Sequence, residues 1–376
     1  MHVAQLINYY PKYSYLDSIL SATGKRKMTI FVDLKGCMQS LYLEWAIRYV
    51  IEQSRGTKYV DSSLFSSFLE FISFHKQYAK KRDIELDMIF FFENGRSEYH
   101  EQIHPDYKGD RKNKDFFGID ATSIDLFKRV LNKNLVVIEK VGNKLPGVSV
   151  VKLDYMEADF MPWYLAKHVI EDYDKAINVI YSVDKDMLQC IDSNTVQFYK
   201  HYKVVRVIGP KNVYSHYMKK PLDWEYIDPE FFALYLAVDG DMGDNFKGIK
   251  GIGPSKMEVI FPILTEMCGS MEEIAKNIRE GNSIFIKDSG TNNKFIDKVV
   301  AEENIVVRNL KLASYRLLSE YVNNGYSLVN VKRQKYMIET VNNTEKIENA
   351  NILYEALGTI GMKSSLQEET ASNIFN

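Results

Sequence analysis

A chain of 376 residues, 45% hydrophobic and 26% charged, has the composition of an ordinary folded protein with room for two domains and a large core. Its longest apolar runs, such as Ile89 to Phe92, are far too short to span a bilayer, and Met1 to Leu6 lack a signal-peptide pattern, so cytoplasmic residence without a membrane is the expectation. Cys37, Cys190 and Cys268 are too widely spaced for a zinc motif, and a net charge of −2 does not by itself announce a polyanionic partner.

Residues 1–28 are tyrosine-rich and end in Thr23-Gly24-Lys25-Arg26-Lys27, an extension before the fold proper. Thr29 to Asp33 reads as a buried strand closing on a carboxylate, followed by helices over Met38–Gln53 and Ser62–Arg82. Asp87 to Glu93 is a second such strand, again ending on a carboxylate, and Val148–Lys152 is a third. Glu157 and Asp159 come next, just ahead of a helix whose first turn must contain Pro162; the helix dipole favours their ionised form there. Ile177–Val183 is a fourth strand, ending at Asp184-Lys185-Asp186. Apolar strands alternating with helices predict an α/β fold with a mostly parallel central sheet, whose sites form beyond the C-terminal strand ends. Asp33, Glu93 and Asp184 all stand there, on three separate strands.

Between Ser193 and Leu222 there is no acidic residue, while Lys200, Lys203, Arg206, Lys211, Lys219 and Lys220 alternate with Phe198, Tyr199, Tyr202, Tyr214 and Tyr217. This pattern suits either a basic, aromatic nucleic-acid surface or a β-hairpin with a solvated face. Helices follow over Asp228–Val238, Pro254–Phe261, Met271–Glu280, Phe295–Val299 and Val307–Val322, so a mainly helical second domain is expected from about residue 222. A polar tail begins near Val331, with short helices over Ile352–Leu357 and Met362–Leu366.

The densest chemistry lies in Val238 to Lys256. Asp239, Asp241 and Asp244 sit among Gly240 and Gly243, which is hard-cation chemistry. Gly248, Gly251 and Gly253 then precede a Pro254-Ser255-Lys256 helix start, a turn that exposes backbone N–H groups to a phosphate. Asp33, Glu93, Glu157, Asp159, Asp184, Asp186, Asp241 and Asp244 together would repel one another unless cations sit among them. Mg²⁺ suits such an oxygen-rich cradle, because it keeps waters and accepts phosphate oxygens.

These segments resemble the structure-specific 5′-nucleases, the flap endonucleases and 5′-nuclease domains of bacterial DNA polymerases, and most of all the bacteriophage-encoded members, including the phage ribonuclease H type. The resemblance rests on Phe31-Val32-Asp33, Phe92-Glu93-Asn94-Gly95, Glu157-Ala158-Asp159, Ser182-Val183-Asp184-Lys185-Asp186 and Gly240-Asp241-Met242-Gly243-Asp244-Asn245, in the family's order. Gly248 to Lys256 is similar to its duplex-gripping helix–three-turn–helix, and Asn293 to Tyr315 to the helical segment after it. The resemblance implies a PIN-like nuclease domain over 29–221 with a helical arch or gateway at 96–125. A helix–three-turn–helix domain would cover 222–330, between an extension at 1–28 and a tail at 331–376. It implies two Mg²⁺, with Mn²⁺ as a substitute, and a K⁺ ion at the glycine-rich turn. Asp33, Glu93, Glu157 and Asp159 would form the first metal site; Asp184, Asp186, Asp241 and Asp244 the second, with Asp159 shared. Lys108 and Arg111 would act on the scissile phosphate. Tyr107 would stack on a terminal base, and Gly248, Gly251, Gly253, Ser255 and Lys256 would hold the duplex.

The implied activity is a 5′→3′ exonuclease and flap endonuclease acting as a monomer on DNA with 5′ flaps, nicks or RNA primers, in replication or repair. A single-strand-binding protein or clamp is the implied protein partner. Two residues depart from the family pattern: Glu93 and Phe160 stand where Asp is usual. The competing readings are a DNA-junction-binding replication accessory protein without catalysis and a plain single-strand ribonuclease.

Overall fold

In a computed structural model, the chain is described over residues 14–35, 63–109, 121–201, 204–286, 290, 292–324, 328–343, 345–359 and 368–375. Among these residues the central sheet has six strands: β1 (Lys27–Asp33), β2 (Glu85–Asn94), β3 (Val148–Asp154), β4 (Ala176–Tyr181), β5 (Thr195–His201) and β6 (Val204–Ile208). They lie in the order β3-β2-β1-β4-β5-β6, and every neighbouring pair is parallel except β5–β6. Strands buried on both faces need apolar residues at successive positions. Accordingly β1 and β2 turn Met28, Ile30, Val32, Met88, Phe90 and Phe92 to one core and Phe31, Ile89 and Phe91 to another. The chain leaves β1 for β2 and β3 on one side, then returns to place β4 on the other. The crevice between β1 and β4 is therefore the topological switch point of the sheet.

The helices are α1 (Ser14–Thr23), α2 (Ser63–Lys81), α3 (Glu98–Ile103), α4 (Ala121–Gly142), α5 (Met161–His168), α6 (Val213–Met218), α7 (Phe232–Asp239), α8 (Pro254–Cys268), α9 (Met271–Glu280), α10 (Lys294–Ala301), α11 (Glu303–Ala313), α12 (Tyr315–Asn323), α13 (Leu328–Val341), α14 (Ala350–Thr359) and α15 (Glu368–Phe375). Helices α2 and α4 cover one sheet face, through residues such as Phe68, Ile72 and Ile138. Helices α5, α12 and α13 cover the other, through residues such as Trp163, Leu318 and Met337. A third core gathers α6 to α11 around Leu234, Tyr235 and Phe261. The two-stranded ribbon β7 (Gly240–Asp241) and β8 (Phe246–Lys247) sits between α7 and α8.

Several elements differ from the sequence expectation. The fourth strand stops at Tyr181, because the Ser182 hydroxyl accepts from the Asp184 N–H at 3.0 Å and turns the chain into a loop. The helix expected over Val307–Val322 is two helices, divided at Ser314, whose side chain accepts from Leu317 N–H and starts the second. Helix α4 and helix α13 carried no clear signal in the sequence. The basic stretch forms the β5–β6 hairpin at the sheet edge. Phe198 and Tyr214 are buried in cores and Tyr217 packs against Phe232 and Tyr235, so these aromatic residues are not a surface for bases. The helices expected over Met38–Gln53 and Met362–Leu366 lie outside the described residues.

Described helices near both ends of the chain, α1 and α14–α15, enter the α/β core. Leu20 of α1 is buried there, and Asp17 accepts a two-pronged ion pair from Arg82 at 2.5 and 2.9 Å. Leu353 of α14 and Ala371 and Ile374 of α15 are buried against the same face. No helix among the described residues is long and apolar enough to cross a membrane.

The tail's packing sets up a paired comparison. Leu353 is fully buried and its neighbour Ile352 is 43% exposed. Leu353→Ala is expected to lower unfolding free energy by about 2–5 kcal/mol in urea titration, and Ile352→Ala by no more than about 0.5 kcal/mol. Equal effects would show that the tail does not belong to the core.

Candidate metal centre

The sheet brings the strand-end carboxylates to the switch point. Asp33 closes β1 and Glu93 lies near the end of β2, on adjacent strands. Asp33 Oδ2 accepts from the Ser182 hydroxyl at 3.1 Å, which ties β1 to the loop after β4. Two buried amides fix that loop. Gln197 Nε2 donates to the carbonyls of Ser182 (3.0 Å) and Asp184 (2.8 Å), and Gln189 Nε2 donates to those of Asp186 (2.9 Å) and Ala313 (3.0 Å). Asp184 Oδ1 in turn accepts from Asp186 N–H at 3.0 Å. Asp159 comes from the segment just before α5.

The remaining two carboxylates come from the ribbon. Helix α7 is buried over Phe232 to Val238, so its end is rigidly placed, and β7 leaves it through Gly240 at φ 89°. A Cβ on Gly240 would lie 2.3 Å from Gly248 N, and one on Gly248 would lie 2.2 Å from the Val238 carbonyl. Gly248 is therefore required for close packing inside the ribbon, where the sequence had suggested an opening toward a phosphate. By contrast, a Cβ on Gly251 or Gly253 would meet nothing within 4 Å, so those two faces are open. Asn309 of α11 donates to the carbonyls of Ala237 (2.8 Å) and Lys247 (2.9 Å), fastening the last turn of α7 to the far strand of the ribbon.

Ligand oxygens of Asp159, Asp184 and Asp186 lie within 4.8 Å of one another, and so do those of Asp186, Asp241 and Asp244. Asp186 is thus the residue common to both groups, and Asp159 groups with Asp184 and Asp186. This agrees with the expectation that Asp159 is shared with the Asp184 and Asp186 side of the cluster. Asp33, Glu93 and Glu157 fall in neither group, and two of them are engaged by lysines. Lys35 Nζ lies 2.9 Å from Glu93, and Lys108 Nζ lies 2.7 Å from Glu157 and 3.8 Å from Asp244. Lys185 pairs with Asp186 at 3.1 Å and also with Asp241.

Burial raises the Asp159 carboxyl well above its usual range, and Glu157 adds to this. Burial and the neighbouring aspartates also lift Asp186, against Lys185, to about 7. Burial works the same way on Glu93, but Lys35 outweighs it and holds that carboxyl below its usual value. The buried Asp159 Oδ1 has no hydrogen-bond partner. An all-carboxylate donor set with an orphaned buried oxygen fits a hard divalent cation.

The expected gateway segment is described to Gly109. Arg111 and the rest of the arch to residue 120 lie outside the described residues. Tyr107 is a correction. It is only 6% exposed, its ring stacks on His100 with centroids 4.5 Å apart, and its hydroxyl donates to Asp244 Oδ2 at 2.7 Å. A ring enclosed in this way cannot stack on a base; it orients a carboxylate. His100 is pushed down to about 3 by burial and by Lys108, and is neutral. Its Nε2 donates to the Leu312 carbonyl at 3.1 Å, so Nδ1 accepts from the Ser97 hydroxyl at 2.6 Å. Sequence reasoning also missed Tyr315. Its buried hydroxyl has no partner and is raised by burial and then by Asp159, Asp186 and Asp184, which places it behind the cluster. Phe160 is fully buried against Tyr164 with centroids 5.5 Å apart, so the position where Asp is usual has been absorbed into the core. Ser255 and Lys256 open α8 at the glycine-rich turn.

Residues 47–218 match the family model of the 5′-3′ exonuclease, N-terminal resolvase-like domain. A 5′-3′ exonuclease of Aquifex aeolicus is 31% identical over 192 residues, 50% of this chain and 55% of that protein. The flap endonuclease Xni of Shewanella woodyi is 27% identical over 168 residues, 43% of this chain and 59% of that protein. The chain thus spans about half the length of the curated relatives it matches. In fold it is similar to the bacteriophage T5 flap endonuclease in complex with DNA and metal ions, with a TM-score of 0.57 at 21% identity, covering 84% of this chain and 99% of that one. The T5 5′-exonuclease bound to zinc gives a TM-score of 0.53 at 20% identity, covering 84% of this chain and 100% of the other.

Two outcomes follow from the electrostatics. A carboxyl raised from 3.8 to about 7 retains, in the fold, a proton that the unfolded chain has released, so the metal-free protein loses stability as pH rises through that window. A divalent cation taken up by the cluster is therefore expected to raise the melting temperature more at pH 8 than at pH 5; an equal or reversed increment would contradict the cluster's ionisation. Tyr107→Phe removes the donor that orients Asp244, and calorimetry should show divalent-ion affinity falling about 10–100-fold, with the melting temperature of the metal-free protein little changed.

Proposed function

We propose that this chain, which belongs with the 5′-3′ exonucleases and flap endonucleases, is a Mg²⁺-dependent nuclease that hydrolyses phosphodiester bonds at single-strand/duplex junctions from the 5′ side. The observation that carries the reading is one continuous stretch. It delivers Asp241 and Asp244 to the carboxylate cluster and, a few residues on, presents the open turn at Gly251 and Gly253. Asp159, Asp184 and Asp186 would hold one divalent ion and Asp186, Asp241 and Asp244 the other, with Asp33, Glu93 and Glu157 beside them. When bound, these ions supply charge neutralisation and polarisation at the phosphoryl oxygens.

The chain's own residues do the rest. Lys108 stands between Glu157 and Asp244, and turning its ammonium from Glu157 to the substrate would place a positive charge on the scissile phosphate as negative charge develops. Arg111, three residues on, is assigned as a second clamp of the same kind. Gly251, Gly253, Ser255 and Lys256 meet the duplex backbone at the start of α8. Water attacks the phosphorus in line, leaving a 5′-phosphate and a 3′-hydroxyl. Flaps, nicks and RNA primers are the substrates that suit a metal site joined to a duplex grip. The accessory-protein reading is the weaker one, since a protein that only holds DNA gains nothing from carboxylates facing the phosphates.

The test uses 5′-flap, nicked and RNA-primed duplexes incubated with Mg²⁺. Wild type should cleave at the junction, and Asp184→Ala and Lys108→Ala should each lower the rate by about 10²-fold or more. Absence of Mg²⁺-dependent cleavage on all three substrates would sink the enzymatic reading, whereas undiminished cleavage by Asp184→Ala would sink the site assignment.

A further inference from the structure

The family resemblance implies a K⁺ ion at the glycine-rich turn, held against a duplex phosphate. The turn of this chain is already furnished with cations. Lys298 of α10 donates from Nζ to the Lys250 carbonyl at 2.7 Å, and Lys256 of α8 donates from Nζ to the Gly251 carbonyl. The neighbouring carbonyls are also engaged: Ile249 accepts from Ile252 N–H at 3.0 Å, and Gly253 accepts from the N–H groups of Lys256 (2.8 Å) and Met257 (3.0 Å). An ion entering the turn would have to displace tethered ammonium groups carrying the same unit charge.

These lysines are held in place by more than their carbonyls. The Asn293 side chain accepts from Phe295 N–H and starts α10 beside the turn. The Phe295 ring then lies beneath two ammonium groups, with Lys256 Nζ 4.5 Å and Lys294 Nζ 5.3 Å from its centroid. Lys298 has Glu302 one helical turn away at 3.7 Å, a weak restraint between exposed groups that still orients its stem along α10. Each ammonium has three N–H donors and uses one on the turn, and Lys298 keeps 39% of its side chain exposed, so donors remain for a phosphate.

We propose that Lys256 and Lys298 take the place of the monovalent metal ion at this turn, so that the turn meets a duplex phosphate with two tethered ammonium groups and needs no K⁺. This rests on the reading of the turn as the duplex grip. A tethered cation is always present at the site, so duplex binding should depend on ionic strength through the phosphates contacted and not on the identity of the cation.

The experiment measures binding of a fluorescent blunt duplex by wild type, in Ca²⁺ without Mg²⁺, at matched ionic strength in KCl, NaCl and tetramethylammonium chloride. The expected result is the same Kd within about twofold in all three, since the contribution of the turn is sequence- and ion-independent. Lys256→Met and Lys298→Met should each weaken binding and lower the slope of log K against log salt by about 1, with unchanged melting temperature. Wild-type binding at least tenfold tighter in K⁺ than in Na⁺ would overturn the proposal while leaving the duplex grip intact. Absence of duplex binding in every salt would overturn both the proposal and the grip, and Mg²⁺-dependent cleavage of a single strand would then separate that failure from loss of the nuclease reading itself.

Discussion

Carboxylates gathered within 4.8 Å of one another in an enclosed space repel, and nearly every polar device around the switch point serves to hold them there. Burial raises the Asp159 and Asp186 carboxyls, and neighbouring carboxylates add to it. The chain supplies cations of its own around the cluster: Lys35 for Glu93, Lys108 for Glu157, and Lys185 for Asp186 and Asp241. Burial works against the Lys185 ammonium, yet Asp186 and Asp241 outweigh it and keep the group charged. Divalent ions entering the cluster would take over the work of these lysines.

The scaffold that resists the repulsion is assembled from distant parts of the chain. Gln189 and Gln197 grip the loop after β4, and Asn309 clamps the last turn of α7 to β8. The turn after α3 is stitched to the ribbon by Tyr107 to Asp244 at 2.7 Å, Lys108 N–H to the Asp244 carbonyl at 3.1 Å, His104 to the Asn245 carbonyl at 2.8 Å, and Asn245 to the Asp106 carbonyl at 2.9 Å. Lys108 adopts a positive φ of 53° at this junction, an uncommon conformation for a side-chain-bearing residue, and one that the surrounding bonds enforce. The base of the gateway and the second carboxylate group are consequently one structural unit.

This division explains what the sequence disclosed. Asp33 and Glu93 were legible because a buried parallel strand announces itself by apolar continuity, and its last residue must face the site. Asp184, Asp186, Asp241 and Asp244 were legible from spacing within short motifs. Lys35 and Lys185 carried no such signal, since their partners Glu93 and Asp241 lie on other elements. Tyr107 was misjudged for a related reason: an aromatic residue beside a charged loop reads as exposed until the turn that folds it over His100 is seen. The aromatic residues of the basic stretch went the same way, because alternation alone does not say which face of an edge hairpin is covered. The sheet cores at the two chain ends were missed because polar tails can still contribute a few buried anchors, such as Leu20, Leu353 and Ile374.

The stretch from Asp241 to Lys256 then acquires a sharper meaning than metal chemistry placed next to phosphate chemistry. Gly240, just before it, and Gly248 within it have no room for side chains, so the ribbon is tightly packed at both places. Its later glycines, Gly251 and Gly253, face open space beside the ammonium groups of Lys256 and Lys298. A rigid piece therefore separates the carboxylates from the open turn, and Asn309 prevents that piece from hinging on α7. When a duplex phosphate is held at the turn, the distance along the backbone to the carboxylates is set by the ribbon and not by the sequence of bases. On the proposed reading, cleavage specific for a junction would follow from that fixed separation.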